Sequence, residues 1–169
     1  MGTNGTSAAQ TLGDPLPPVD PLTLSGTASL GLTARPESVR HARDFTRDTL
    51  RAWALSEQVD AVGLVVSELV TNALRHGLHA LPPVPRAVPA PPPGARVRTV
   101  ELELMRCARR LVCAVQDPSG KAPRVGELDG ATESGRGLHL VECFSDGWGW
   151  RPLSGGRQGK VVWAVFGTA

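Results

Sequence analysis

The sequence has little charge excess of either sign: 18 basic and 16 acidic residues leave a formal net charge of +2. That balance excludes the basic footprint of a nucleic-acid binder and the polybasic patch that holds a chain on an anionic membrane. Long hydrophobic runs are missing too, with none near the roughly 20 residues that span a bilayer. The opening MGTNGTSAAQTLGDPLPP has neither the basic start nor the apolar stretch of a secretory leader. A cytoplasmic protein without direct nucleic-acid or membrane contact is therefore expected. Cysteine is scarce: Cys107, Cys113 and Cys143 are odd in number and show no CxxC or Cys/His spacing. This argues against a disulfide framework or a structural zinc site, and leaves reduced core thiols as the expectation.

What is present suits a single domain. With 41% hydrophobic residues in 169, the chain is long enough for one real core and too short for two. Residues 1–25, rich in Gly, Thr, Pro and Ala without periodicity, read as a disordered tail ahead of a domain over 26–169. Within that domain the prolines of 81–94, LPPVPRAVPAPPPG, forbid helix and central strand and predict a semi-rigid surface loop.

The remaining stretches have recognisable periods. Alternation over Thr27–Ala34 predicts a short strand. Val39, Ala42, Phe45, Thr46, Leu50 and Trp53 recur at helical spacing after Pro36, and a second helix follows, with Ser56 as its cap and Gly77 as its stop. A hairpin is predicted over Val97–Met105 and Leu111–Gln116, then a turn-rich loop, a short helix in GLHLVECFSD, and two strands in GWGWRPL and GKVVWAVFG. Strands and helices in this order predict an α+β fold, a two-layer sandwich with a mixed, mainly antiparallel sheet and helices on one face.

The second helix contains SELVTNALRHG, Ser67–Gly77. A 3.6-residue period puts Val62, Val66, Leu69, Val70, Ala73 and Leu74 on one arc and Glu68, Asn72 and His76 in a stripe opposite. By itself the stripe is either a solvated surface or a pocket wall, where a carboxylate can serve as a base and an amide oxygen can hold a hard cation. Two later segments bear on the choice. Asp117–Gly120, DPSG, ends a strand and is first of all a turn. The glycines of SGRG, Ser134–Gly137, precede a helix whose free backbone N–H groups suit a phosphate. Neither the Rossmann spacing nor the P-loop ending occurs.

In order and spacing these three segments resemble the ATP-binding superfamily shared by DNA gyrase, ninety-kilodalton heat-shock chaperones, sensor histidine kinases and mismatch-repair ATPases. The resemblance is greatest to its small bacterial branch, the anti-sigma factor serine/threonine kinases, with SELVTNALRHG similar to the N box, VQDPSG to the first glycine box and ESGRGLHLV to the second. It implies a histidine-kinase-like ATPase fold, ATP and Mg²⁺ as cofactors, and as partners a sigma factor and an anti-anti-sigma antagonist; a homodimer is compatible with it. Asn72 would ligate Mg²⁺ and Glu68 would be the catalytic base. Asp117 would accept from the adenine amino group, and Gly120 would let the backbone approach the base. Gly135 and Gly137 would offer N–H groups to the phosphates, with Arg136 adding charge. The alternative function is an ATP-dependent protein-binding switch that transfers no phosphate. Two departures stand out: DPSGKAP lacks a second glycine, and Lys160 stands where the larger superfamily often has threonine.

Overall fold

The computed structural model describes residues 19–78, 99–123 and 136–169. The first 18 residues of the expected tail and the Pro-rich segment 81–94 lie outside the described residues. From Asp20, whose carboxylate accepts from the Leu22 N–H at 2.9 Å, a turn over Pro21–Thr23 leads into the first strand. The elements are β1 (Leu24–Leu32), α1 (Ser38–Ala52), α2 (Val59–Asn72), β2 (Val100–Cys107), β3 (Arg110–Asp117), α3 (Arg136–Phe144), β4 (Gly147–Pro152) and β5 (Lys160–Gly167). Thus β1 starts before the expected Thr27. Its early residues are held by pairing with β2, Leu24 opposite Cys107, although the Leu24 side chain is exposed and contributes no alternation.

The five strands lie in the order β1-β2-β3-β5-β4. This is the expected α+β architecture with one correction: among the described residues every neighbouring pair is antiparallel, and no parallel pair makes the sheet mixed. The crossover from β3 through α3 delivers β4 to the sheet edge, and β5 then turns back between them. Chain reversal on both sides of β5 leaves no parallel neighbour.

Both long helices pack on one sheet face. The buried arc of α2, Val62, Val66, Leu69 and Val70 with Ala73 and Leu74 beyond, is the one its spacing predicts. On α1, Ala42, Thr46 and Leu50 are fully buried while Val39, Phe45 and Trp53 pack at the margin. The Thr46 hydroxyl donates to the Ala42 carbonyl at 2.7 Å, so its burial leaves no orphan donor. Leu102, Leu104, Leu111, Cys113, Val115, Val162, Ala164 and Phe166 complete this core from the sheet. Each fully buried Leu or Val contributes about 1.5–3 kcal/mol.

Three local expectations are revised. Ser56 does not cap α2 but opens a short 3₁₀ turn, Ser56–Gln58, that runs into it. The regular helix ends at Asn72 and continues as a π-helical turn over Ala73–Leu78, so Gly77 is not a C-cap. That wider turn departs from the 3.6-residue period on which the stripe was drawn, and His76 within it is exposed. Finally, the sheet is apolar on its second face as well, where Met105, Cys107, Val112, Ala114, Val161 and Trp163 are buried. Burial on both faces explains why LVCAV in β3 is a continuous apolar run.

Of the cysteines, Cys107 and Cys113 are buried, but Cys143 is exposed on the outer face of α3, its Sγ 3.7 Å from His139 Nε2. It is therefore not a core thiol. Burial pushes the Cys113 thiol up to about 12, and burial, helped by Asp20, raises Cys107 as well. Because the thiolate is the reacting species, alkylation of the native protein at pH 8 is expected to label Cys143 quickly and the other two only after denaturation. Peptide mass spectrometry of native and unfolded samples checks this; rapid native labelling of Cys113 would contradict the packing.

Candidate functional site

The site forms where the end of α2 meets the start of α3 and the ends of β3 and β5. Glu68 and Asn72 are one turn apart on α2 and half-buried, their side chains turned from the core arc toward α3. Gly137, in the first turn of α3, lies against both. A Cβ at Gly137 would sit 2.7 Å from Glu68 Oε2 and 3.4 Å from Asn72 Nδ2. Any side chain there would have to displace the carboxylate, so glycine is what permits the approach. The Glu68 charge consequently stands beside the positive end of the α3 dipole.

The π-helical turn after Asn72 has a second effect: it lowers the backbone of Gly77 onto Asp117. A Cβ at Gly77 would lie 2.7–2.9 Å from Cβ, Cγ and Oδ1 of Asp117. Asp117, at the end of β3, is on the helix-covered face with Cys113 and Val115, and it is buried, with 2% of its surface exposed. Register brings it a partner. Asp117 is directly opposite Lys160, the first residue of β5. The Lys160 ammonium lies 3.0 Å from Oδ1 and 2.9 Å from Oδ2 of Asp117, and donates also to the Ser119 carbonyl at 3.3 Å. The Ser119 N–H in turn donates to Asp117 Oδ1 at 2.8 Å.

Burial raises the Asp117 carboxyl above the usual carboxylate range. The Lys160 ammonium, the Ser119 N–H and, more weakly, His76 pull it back toward the ionised form. A buried aspartate with a dedicated counter-charge at a strand end is costly unless it is fully hydrogen-bonded. Here, three groups of the chain itself supply the compensation.

Of the residues singled out from the sequence, the structure joins Glu68, Asn72 and Gly137 in one contact and places Asp117 at the adjoining strand ends. Gly120 is exposed, and a Cβ there would meet nothing within 4 Å, so packing among the described residues does not require glycine at that position. Gly135 and the side chain of Arg136 lie outside the described residues; Arg136 is the first residue of α3. Three participants had no site role in the sequence reading: Lys160, noted only as standing where threonine is common, Ser119 and Gly77. Lys160 had a usable signal, a lone lysine leading the apolar strand KVVWAVFG in phase with Val162 and Ala164. For Gly77 there was none, because a glycine after a helix is ordinarily a stop.

The geometry is that of a nucleotide-binding fold whose helix N-terminus, carboxylate and carboxamide face one another across a helix–helix seam. The chain belongs to the histidine kinase-like ATPase domain family, which it matches over residues 32–166. ATP binding is what membership of an ATPase family implies. No curated protein matches the sequence. Among the described residues no helix is long and apolar enough to cross a membrane.

Proposed function

We propose that this protein is an ATP-binding regulator of the anti-sigma type, a serine/threonine kinase that phosphorylates an anti-anti-sigma antagonist and sequesters a sigma factor by partner switching. The observation that carries the reading is the contact of Gly137 with both Glu68 and Asn72. A carboxylate and a carboxamide held together at a glycine-bearing helix start are more than surface polarity needs.

The donor set fits Mg–ATP: an amide oxygen suits a hard cation that keeps several waters, and the opening turn of α3 offers backbone N–H groups to phosphate oxygens. Asn72 would hold the metal, and Gly135, Arg136 and Gly137 the phosphates. When bound, Mg–ATP supplies the transferable phosphoryl group and the cation that neutralises charge on it. Asp117 would accept from a base amino group. Glu68 would take the proton from the Oγ of the acceptor serine or threonine as the oxygen–phosphorus bond forms and the bond to ADP breaks.

Calorimetric titration of the purified chain with ATP, with and without Mg²⁺, tests the site. Metal-dependent binding supports it, and no binding under either condition would end it. Glu68→Gln then separates a kinase from a switch. The variant is expected to bind ATP as the parent does while transfer to an antagonist falls by about 10²–10⁴-fold, the usual contribution of a positioned base. Transfer at the parent's rate would remove Glu68 from the chemistry. Absence of transfer by the parent itself would favour an ATP-dependent switch.

A further inference from the structure

Lys160 is a charged side chain that the proposed chemistry does not use, and its position on Asp117 limits what that carboxylate can still do. A carboxylate offers about four lone-pair directions on two oxygens. On Oδ1 the Ser119 N–H and the Lys160 ammonium both donate or press close, and the Gly77 backbone covers the remaining approach. On Oδ2 the same ammonium sits at 2.9 Å, and among the described residues nothing else donates to it. One acceptor direction is left. The Lys160 ammonium donates to Oδ1 and to the Ser119 carbonyl and lies 2.9 Å from Oδ2, so its charge spans both carboxylate oxygens.

We propose that Lys160 is a specificity-determining residue of the nucleotide site: by bridging both oxygens of Asp117 it leaves room for one base N–H, which admits an exocyclic amino group and refuses an edge presenting two adjacent donors. The inference rests on the ATP-site reading above and deepens it. Adenine offers a single amino group beside an unprotonated ring nitrogen. Guanine offers its ring N–H and its amino group side by side, a pair that would engage both oxygens of an open carboxylate. With Lys160 in place, one of those two donors is buried without a partner, the usual source of strong discrimination between related ligands. Without Lys160, the second oxygen opens and guanine gains a contact that adenine cannot make.

The test compares ATP, GTP and ITP by equilibrium titration of the full chain in Mg²⁺ at pH 8, for the parent, Lys160→Met and Lys160→Arg. Inosine keeps the ring N–H of guanine but has no amino group, so the GTP-to-ITP ratio reads whether a second donor is accepted. The parent is expected to bind ATP at least about tenfold tighter than GTP, and GTP no tighter than ITP. In Lys160→Met, GTP should rise above ITP by about tenfold and the preference for ATP should largely vanish. Lys160→Arg, which can again bridge both oxygens, should behave as the parent does. A purely structural role would weaken all three nucleotides together and leave the ratios unmoved.

A folded Lys160→Met with the parent's ratios would overturn the proposal. So would a parent that binds GTP tenfold tighter than ITP, a comparison that decides the matter even if the methionine variant fails to fold. Failure of the parent to bind any of the three would instead overturn the ATP site itself, and this inference with it.

Discussion

Asn72→Ala is expected to abolish Mg²⁺-dependent ATP binding, lowering affinity by at least about 100-fold, while leaving the fold intact. The size follows from the assigned role. Removing even a supporting contact at a metal site commonly costs 10–100-fold, and a direct ligand contributes no less. The stability part follows from position. Asn72 is the last residue of regular α2 and only half-buried, facing Gly137 rather than the core arc of Val62, Val66, Leu69 and Val70. Truncation there opens no cavity in that arc. Titration calorimetry beside thermal unfolding checks both parts at once. Undiminished Mg²⁺-dependent binding would remove Asn72 from the metal site, and a large loss of thermal stability would mean that its side chain serves packing.

Breaking the Asp117–Lys160 pair from either side should destabilise the protein by about 3–5 kcal/mol, whereas replacing both partners by apolar residues should recover most of that loss. Side-chain exposures of 2% for Asp117 and 6% for Lys160 put the pair in the regime where an orphaned charge is penalised heavily. Asp117→Leu strands an ammonium whose remaining acceptor is the Ser119 carbonyl at 3.3 Å. Lys160→Met strands a carboxylate that burial already pushes toward protonation. The double variant leaves neither. Denaturant unfolding of the two single variants and the double forms a thermodynamic cycle, and the coupling energy it returns should be large and favourable. Single variants within about 1 kcal/mol of the parent would mean that the pair is solvated in solution. The cycle is independent of nucleotide, so it separates the structural work of the pair from its effect on base selectivity.

These two residues also mark the boundary of what could be read from the chain alone. Asp117 was legible because an aspartate after an apolar run, followed by Pro-Ser-Gly, is a local pattern. Its pairing with Lys160 was not, since the two are brought opposite each other by antiparallel register between β3 and β5, 43 residues apart in sequence. Likewise the α2 core arc was legible, because 3.6-residue periodicity is written in neighbouring residues. The π-helical turn that follows was not legible: Gly77 in ALRHGL signals a helix end but says nothing of a wider turn before it. The wider turn comes with the close approach of Gly77 to Asp117, a contact between distant segments.

Cys143 and Phe144 show the same limit from the other direction. Cys143 was expected as a core thiol, yet α3 turns Leu138 and Val141 inward and leaves Cys143, like Phe144, exposed. A nine-residue helix has too few turns for its periodicity to fix which side is covered.

By itself, the sequence determined the order of elements, the apolar faces of α1 and α2, the superfamily resemblance, and the identity of the polar groups Glu68, Asn72 and Asp117. All of these depend on spacing within one segment or on the succession of segments. Only the tertiary structure decided that Gly137 closes on Glu68 and Asn72, that Gly77 roofs Asp117, and that Lys160 occupies its carboxylate. Those are contacts across helix seams and strand register, where geometry is set by the packing of the whole domain and not by any neighbouring residue.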